Sequence, residues 1–171
     1  MKDSNTHCSF MPVVNDEHVG EEWLRSARFA DSAIMMLEHS IHRGLDRGLI
    51  GKLPVALVVW SMLRWEQKLG VTMLKQTLSN FGAFESDVEA LLHVDELLPM
   101  LYVANIDKVA CAAKRESERL GHQHVGTEHL ILAVLSVGDD EIQELMSRHN
   151  VTRDDLERAL REIISSSQEG P

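Results

Sequence analysis

Apolar residues recur at steps of three and four along most of the chain, the spacing that places them on one face of an α-helix. The earliest stripe predicts a first helix that begins near Trp23 and contains Trp23, Ala27, Ala30, Ile34, Leu37 and Ile41. Pro54 then stands where a first helical turn tolerates a residue without an N–H group. The segment 55–63 that follows is apolar nearly all round, so it predicts a short helix that is buried on every side.

Two further helices are predicted before residue 98. The third has an apolar stripe that is closed by Gly82 and consists of Val71, Leu74, Leu78 and Phe81. Ser86 is followed three residues later by Glu89, the capping-box pattern in which each side chain binds a free N–H group of the helix start. The fourth helix is therefore predicted to begin at Ser86.

The second half of the chain repeats this order of long, buried, short and capped helices. Its first helix ends at Gly121, and Thr127 is placed to cap the short apolar helix that follows with its hydroxyl. Asn150 closes the third helix, and Thr152 with Asp155 forms the capping box of the fourth. The segments 79–92 and 147–160 align without gaps, which indicates an internal duplication.

The duplication predicts an all-α fold of eight helices in two pseudo-symmetric four-helix repeats. One repeat alone would bury too little surface, so the two are expected to share one core and to pack as one domain. The predicted boundaries are 1–20 for a flexible N-terminal tail, 21–98 for a divergent first repeat, 99–165 for the second repeat and 166–171 for a C-terminal tail.

The charge balance narrows the classes of partner. The 171 residues include 17 Lys and Arg against 27 Asp and Glu, a net charge of −10, which disfavours nucleic acid and anionic membranes because both bind clustered cations. No apolar run approaches the ~20 residues of a membrane span, and the N-terminus has no apolar signal segment. Cys8 and Cys111 are too few for a disulfide framework, so both are predicted to be free thiols in a cytoplasmic, reducing compartment.

The segment 117–135, SERLGHQHVGTEHLILAVL, closely resembles the signature of the Clp N-terminal repeat domain, which is found at the front of ClpA- and ClpC-type AAA+ unfoldases. The family pattern is a Gly-terminated helix, L-G-H, a short loop, G-T-E-H and an apolar helix. The matching residues are Leu120, Gly121, His122, Gly126, Thr127, Glu128, His129, Leu130, Leu132 and Leu135. The resemblance implies eight helices in two repeats, and it extends over about residues 20–165, more weakly in the first half.

The resemblance also implies a binding site in the second repeat. In ClpC-type members two such glutamates, one in each repeat, hold the guanidinium of phosphoarginine on marked client proteins. By position this role falls to Glu128, with Gly126 and Thr127 beside it. A carboxylate suits the forked geometry of a guanidinium group, although the same three residues also make a favourable helix start without any ligand.

The first repeat departs from the family pattern at this site. Gly51 keeps the glycine, but Lys52 replaces the threonine and Leu53 replaces the glutamate. The family's threonine and arginine at the start of the second repeat are Val103 and Asn105 in this chain. The phosphoarginine pocket is therefore expected to be at most half present, with Lys52 as a candidate partner-binding residue in the altered half.

No catalytic, cofactor or metal site is predicted. The segment 46–53, DRGLIGKL, lacks both the first glycine and the final hydroxyl of a nucleotide-binding P-loop. His122, His124 and His129 lie near Glu128, but the H-E-x-x-H zinc pattern is absent and family members carry the equivalent histidines without metal. Helix capping and packing are the alternative roles for these histidines.

Two interpretations remain open for the large apolar side chains. Trp60 and Trp65 can be core residues or an anchor for a partner, because tryptophan is common in both environments. The methionines Met35, Met36, Met62 and Met73 can fill the core or line a client groove.

These features predict a non-enzymatic protein-interaction module of the Clp chaperone–protease system, standing alone without the ATPase. It would act as an accessory or adaptor that binds a Clp ATPase, its peptidase or a client protein. The alternative is a sensor of modified arginine, or of another small ligand, through the second-repeat site. A third possibility is a divergent duplicate with an unrelated protein partner. The sequence does not fix the oligomeric state.

Overall fold

The computed structural model describes residues 24–46, 55–65, 67–92, 103–137 and 140–168. Within these ranges the chain forms eight α-helices, and residues 24–26 are also helical. The helices are α1 (Asp31–Asp46), α2 (Val55–Leu63), α3 (Leu69–Thr77), α4 (Phe81–Leu91), α5 (Val103–Arg119), α6 (Thr127–Val137), α7 (Asp140–Arg148) and α8 (Arg153–Gln168). The prediction of an all-α fold in two repeats is confirmed, and the described residues contain eight longer helices in addition to the helical residues 24–26.

The first long helix begins later than predicted. α1 starts at Asp31 instead of near Trp23, because Arg28 adopts a left-handed conformation with φ of 63° that no helix contains. Leu24 before Arg28 and Phe29 directly after it are buried, as are Ile34 and Leu37 of α1. The apolar residues on both sides of this turn therefore face the same core.

The second helix is buried as predicted. Every residue of α2 is buried, including Trp60, whose exposed fraction is 8%. The Trp60 ring stacks on His39, with the ring centroids 5.6 Å apart, and the guanidinium groups of Arg43 and Arg64 lie 5.3 Å and 4.8 Å from its centroid. Trp60 is thus a core residue covered by three polar side chains, which favours the first of its two interpretations.

The four methionines singled out in the sequence differ in their burial. Met36, Met62 and Met73 are fully buried, whereas 46% of Met35 is exposed. Three of the four therefore fill the core, which is the first of the two interpretations given for them.

The predicted start of the fourth helix is wrong by more than one turn. α4 begins at Phe81, and the Asn80 side chain caps it by accepting the Ala83 N–H group at 3.0 Å. Ser86 is exposed in the middle of this helix, so Ser86 and Glu89 do not form a capping box. The physical reason is that Phe84 must lie inside the helix to be buried with Val88 on the same face.

The positions of the helix starts also give an alignment of the two repeats that differs from the sequence alignment. The structural equivalents of Asn80 and Phe84 are Thr152, which caps α8, and Leu156, which is buried as Phe84 is. The gapless sequence alignment instead pairs Val88 with Leu156. The two alignments differ by four residues, about one helical turn, and such a shift keeps the same residues on the buried face.

The capping box of the last helix is confirmed. The Asp155 N–H group donates to the Thr152 hydroxyl at 3.2 Å, and that hydroxyl donates to the Asp155 carboxylate. α8 then continues to Gln168, beyond the predicted end of the second repeat at residue 165.

The two repeats share one core, as expected. α3 of the first repeat contacts both α6 and α8 of the second, and α2 contacts α5 and α6. The core includes Leu37, Met62 and Leu74 from the first repeat and Leu130, Ile142 and Leu156 from the second. Neither repeat could therefore be removed without exposing the apolar face of the other.

Two further observations bear on the predictions from composition. Cys111 is disulfide-bonded, so the prediction of a free thiol at this position is wrong; Cys8, the other cysteine of the chain, lies outside the described residues. Among the helices that the structure describes, none combines the length and the hydropathy that crossing a bilayer requires.

Candidate functional site

The Gly-Thr-Glu-His motif forms the start of the buried helix α6. Thr127 is the first helical residue, so Gly126 holds the N-cap position and Glu128 lies in the first turn. The Glu128 carboxylate folds back over Gly126 so closely that a side chain at position 126 would collide with it. A larger residue at position 126 would therefore displace the Glu128 side chain from this position.

His129 closes the helix start from the inside. Its side chain is fully buried, and its Nδ1 atom accepts the Gly126 N–H group at 2.8 Å. This is the bond that glutamate or glutamine makes from the third helical position in a capping box. His129 thus replaces an acidic capping residue, and the motif caps α6 without its threonine.

A second bond extends this arrangement to the preceding loop. His129 Nε2 lies 2.8 Å from His122 Nδ1. Because Nδ1 of His129 accepts from Gly126, neutral His129 carries its proton on Nε2 and donates it to His122. The direction of both bonds is therefore fixed by one backbone N–H group. Burial, with a smaller contribution from His122, lowers the pKa of His129 to about 4.

His122, Glu128 and His129 are residue types that bind metals, but the ring nitrogens of His129 are already hydrogen-bonded. Ligand atoms of His122, Glu128 and His129 all lie within 4.8 Å of one another. Both ring nitrogens of His129 are already engaged, and coordination at Nε2 would move its proton to Nδ1, against the Gly126 N–H group. His124 is exposed and outside this group. The arrangement favours helix capping, and the absence of a metal site stays a prediction.

Glu128 is the one group of the motif that combines a charge with access to solvent. Its side chain retains 14% exposure, and one carboxylate oxygen lies 3.3 Å from His129 Nδ1. Burial raises the pKa of Glu128, while a bond from its own backbone N–H group and the nearby His122 act in the opposite direction. A carboxylate held in this way can accept hydrogen bonds from a cationic group at its open edge.

Thr127 has a different role from the predicted one. It is buried, with 3% exposed, and its hydroxyl accepts the backbone N–H group of Gly70 at 3.0 Å. The hydroxyl therefore caps α3 of the first repeat instead of its own helix. The expectation that Thr127 caps α6 is wrong, because the first repeat places a free helical N–H group against it.

The first-repeat side of the predicted site lies outside the described residues. This applies to Gly51, Lys52 and Leu53. Val103 and Asn105 belong to the first turn of α5, for which only the backbone is described. Of the four candidate binding residues, the structure thus brings together Gly126, Thr127 and Glu128 and does not test Lys52.

Two contacts of this site were not anticipated. Gly70 touches Thr127, and Val125 pairs in parallel with Phe29, donating its N–H group to the Arg28 carbonyl at 2.8 Å. A glycine inside an apolar helical stretch is a signal of close approach, so Gly70 could have been found. Nothing in the local sequence points to the Phe29–Val125 pairing.

The described residues thus form a two-repeat helical domain in which a Gly-Thr-Glu-His helix start of the second repeat contacts the first. Residues 104–170 match the family of the Clp repeat (R) N-terminal domain. The chaperone protein ClpB of Bdellovibrio bacteriovorus is 34% identical over 58 residues, which make up 34% of this chain and 7% of the chaperone. The second repeat is thus similar to the Clp N-terminal repeat domain.

Two solved structures have the same fold. The Hsp104 N-terminal domain from Candida albicans matches with a TM-score of 0.63 and 18% identity over 81% of this chain and 93% of that one. A chain from structural investigations of a malarial protein secretion system matches with a TM-score of 0.64 and 15% identity over 79% and 93% of the two chains. Both matches cover about four fifths of the chain, so the shared fold includes both repeats.

Proposed function

We propose that the chain acts as an accessory or adaptor of the Clp chaperone–protease system and binds a Clp ATPase, its peptidase or a client protein. The match of residues 104–170 to the Clp repeat family and the similarity to a ClpB chaperone support a protein-interaction module of that system in general terms. The adaptor role is a more specific proposal than a general interaction module, and it requires no catalytic residue, metal or cofactor.

The observation that carries this proposal is the construction of the second-repeat helix start. Bonds from Gly126, His129 and Gly70 hold the first turn of α6, and they leave the Glu128 carboxylate at the solvent edge. A carboxylate on a rigid element suits a positively charged group on a protein partner. The net charge of −10 supports the same choice of partner, since it steers basic surfaces toward the chain.

Binding of purified proteins tests the proposal directly. The labelled chain is titrated with the Clp ATPase, the Clp peptidase and an unfolded client of the same organism, and fluorescence anisotropy is recorded. We expect saturable binding to one of the three and a loss of about fivefold, or ~1 kcal/mol, in Glu128→Gln. The matched control is Glu162→Gln, which makes the same charge change at an exposed position of α8. The proposal fails if none of the three proteins binds, or if both variants weaken binding equally.

A second candidate function is recognition of a modified arginine at the same site. The Glu128 carboxylate favours it, because a guanidinium group can bond to both carboxylate oxygens. The engaged hydroxyl of Thr127 and the replacement of the first-repeat glutamate by Leu53 weigh against it. Calorimetric titration with phosphoarginine separates the two functions: heat that saturates and disappears in Glu128→Gln supports the sensor, and its absence leaves only the adaptor.

A further inference from the structure

The starts of two helices from different repeats meet at one hydrogen bond. Gly70 is the second residue of α3, and Thr127 is the first residue of α6, 57 positions later in the chain. The Gly70 N–H group donates to Thr127 Oγ1 over 3.0 Å, and both residues are buried. The bond therefore joins the repeats where water is excluded.

Both chemistry and space make this contact specific. An N–H group in the first turn of a helix has no acceptor within its own helix, so Gly70 depends on an outside oxygen. A Cβ atom on Gly70 would lie 2.5 Å from the Thr127 carbonyl oxygen and 2.8 Å from Met62 Cε. The hydroxyl thus fixes the direction in which α3 approaches α6, and the missing side chain fixes the distance.

We propose that Thr127 is a positioning residue, which holds the start of α6 and the adjacent Glu128 in register with the first repeat, and that it does not contact a ligand. His129 bonds the same helix start to Gly126 and His122 from the second repeat. Thr127 supplies the corresponding bond to the first repeat. Displacing it would move Glu128 relative to α3 even where α6 remains helical.

Amide exchange at Gly70 tests this role without any binding partner. In the ¹⁵N-labelled chain, exchange of the Gly70 amide is compared with that of Val71 and Thr72, which donate to the Lys68 carbonyl in the same turn. We expect exchange at Gly70 to be at least about tenfold faster in Thr127→Val than in the wild type, beyond any change at these neighbours. Thr127→Ser keeps the hydroxyl and should restore the protection.

Thr152→Val is the matched control. It removes the hydroxyl of another threonine at a helix start, one that bonds Asp155 within the second repeat. It should lower overall stability while leaving Gly70 as protected, relative to Val71 and Thr72, as in the wild type.

Two results would overturn the proposal: an unprotected Gly70 amide in the wild type, or equal relative protection in the wild type and Thr127→Val. If Thr127→Val does not fold, the wild type is compared with Thr127→Ser instead. A Gly70 amide that is protected in both proteins supports the bond, and a Gly70 amide that is unprotected in either one contradicts it. Failure of the adaptor proposal would appear in the anisotropy titrations and would leave these exchange rates unchanged.

Discussion

Two of the contacts between the repeats differ in their chemistry, and we call them the dry junction and the charged junction. The dry junction consists of Gly70 and Thr127, which are buried and joined by one uncharged hydrogen bond. The charged junction consists of Asp87 on α4 with Arg148 and His149 at the end of α7. In the charged junction, Asp87 Oδ2 lies 2.9 Å from His149 Nε2 and 3.4 Å from Arg148 Nη1, and the side chains of Asp87 and Arg148 are 36% and 56% exposed.

The difference indicates how each junction should respond to its surroundings. The dry junction depends on shape and on a bond that water cannot replace, so a single added methyl group should disrupt it. The charged junction competes with water and salt ions, so it should be weaker and sensitive to pH and ionic strength.

Gly70→Ala should have the largest effect. Its methyl group would lie within 3 Å of the Thr127 carbonyl and of Met62 Cε, and we expect a loss of about 3 kcal/mol in the free energy of unfolding. Urea denaturation measures this loss. In the control Gly82→Ala, on the exposed side of α4, the nearest neighbour of the methyl group is Asn80 Oδ1 at 3.8 Å, so a gain of up to about 1 kcal/mol is expected. Equal effects of the two substitutions would contradict the dry junction.

Acidification should weaken the fold through His129, beside the dry junction. The pKa of His129 is about 4 in the folded chain and ~6.5 in an unfolded one. Between these values the unfolded chain binds the additional proton, so stability is complete above pH ~6.5 and falls toward pH 4, by about 3 kcal/mol at most. Glu128 acts in the opposite direction, because burial raises its pKa and protonation then favours the folded state.

Urea denaturation at a series of pH values measures this dependence. The slope of stability against pH should become shallower in His129→Gln, whose amide can still accept the Gly126 N–H group. An unchanged slope in that variant would assign the acid sensitivity to other groups.

Sequence periodicity predicted the all-α fold and the buried faces of α2 and α8, because apolar spacing and caps are local properties. It did not place the start of α1, because Arg28 interrupts the helical pattern, or of α4, because Ser86 and Glu89 have the spacing of a capping box inside the helix. Phe84 is buried inside α4 and its ring packs edge-on against His149 of the opposite repeat, a contact that local spacing does not reveal.

The candidate site was predictable in its residues but not in all of its bonds. Gly126, Thr127 and Glu128 form the predicted helix start, yet the Thr127 hydroxyl binds a residue 57 positions away. Local spacing contains no information on such a partner. The capping bond of His129 follows from the burial of its ring, which the motif alone does not reveal.

Asp87→Asn should have an intermediate effect at the charged junction. The hydrogen bond with His149 is the main cause that lowers the pKa of the Asp87 carboxyl, so the contribution of Asp87 is present above pH ~3.9 and is lost as pH falls through the lowered value. At pH 7 the variant should lose less stability than Gly70→Ala, and 1 M salt should reduce the loss further.

A double-mutant cycle with His149→Gln measures the coupling of the two side chains. Additive losses would mean that Asp87 and His149 stabilise the fold independently and that no junction exists between them.

Arg148→Gln should have the smallest effect and should divide the charged junction into its parts. The guanidinium lies 3.4 Å from Asp87 and 3.2 Å from Glu144, with more than half of its side chain in water, and exposed pairs of this kind contribute about 0.5 kcal/mol or less. The His149 ring is better placed, since it also packs edge-on against Phe84 with a centroid distance of 5.2 Å. Urea denaturation should therefore show a small loss in the free energy of unfolding at low salt and no loss at high salt. A loss as large as that of Asp87→Asn would show instead that the guanidinium, and not the imidazole, joins the two repeats at this junction.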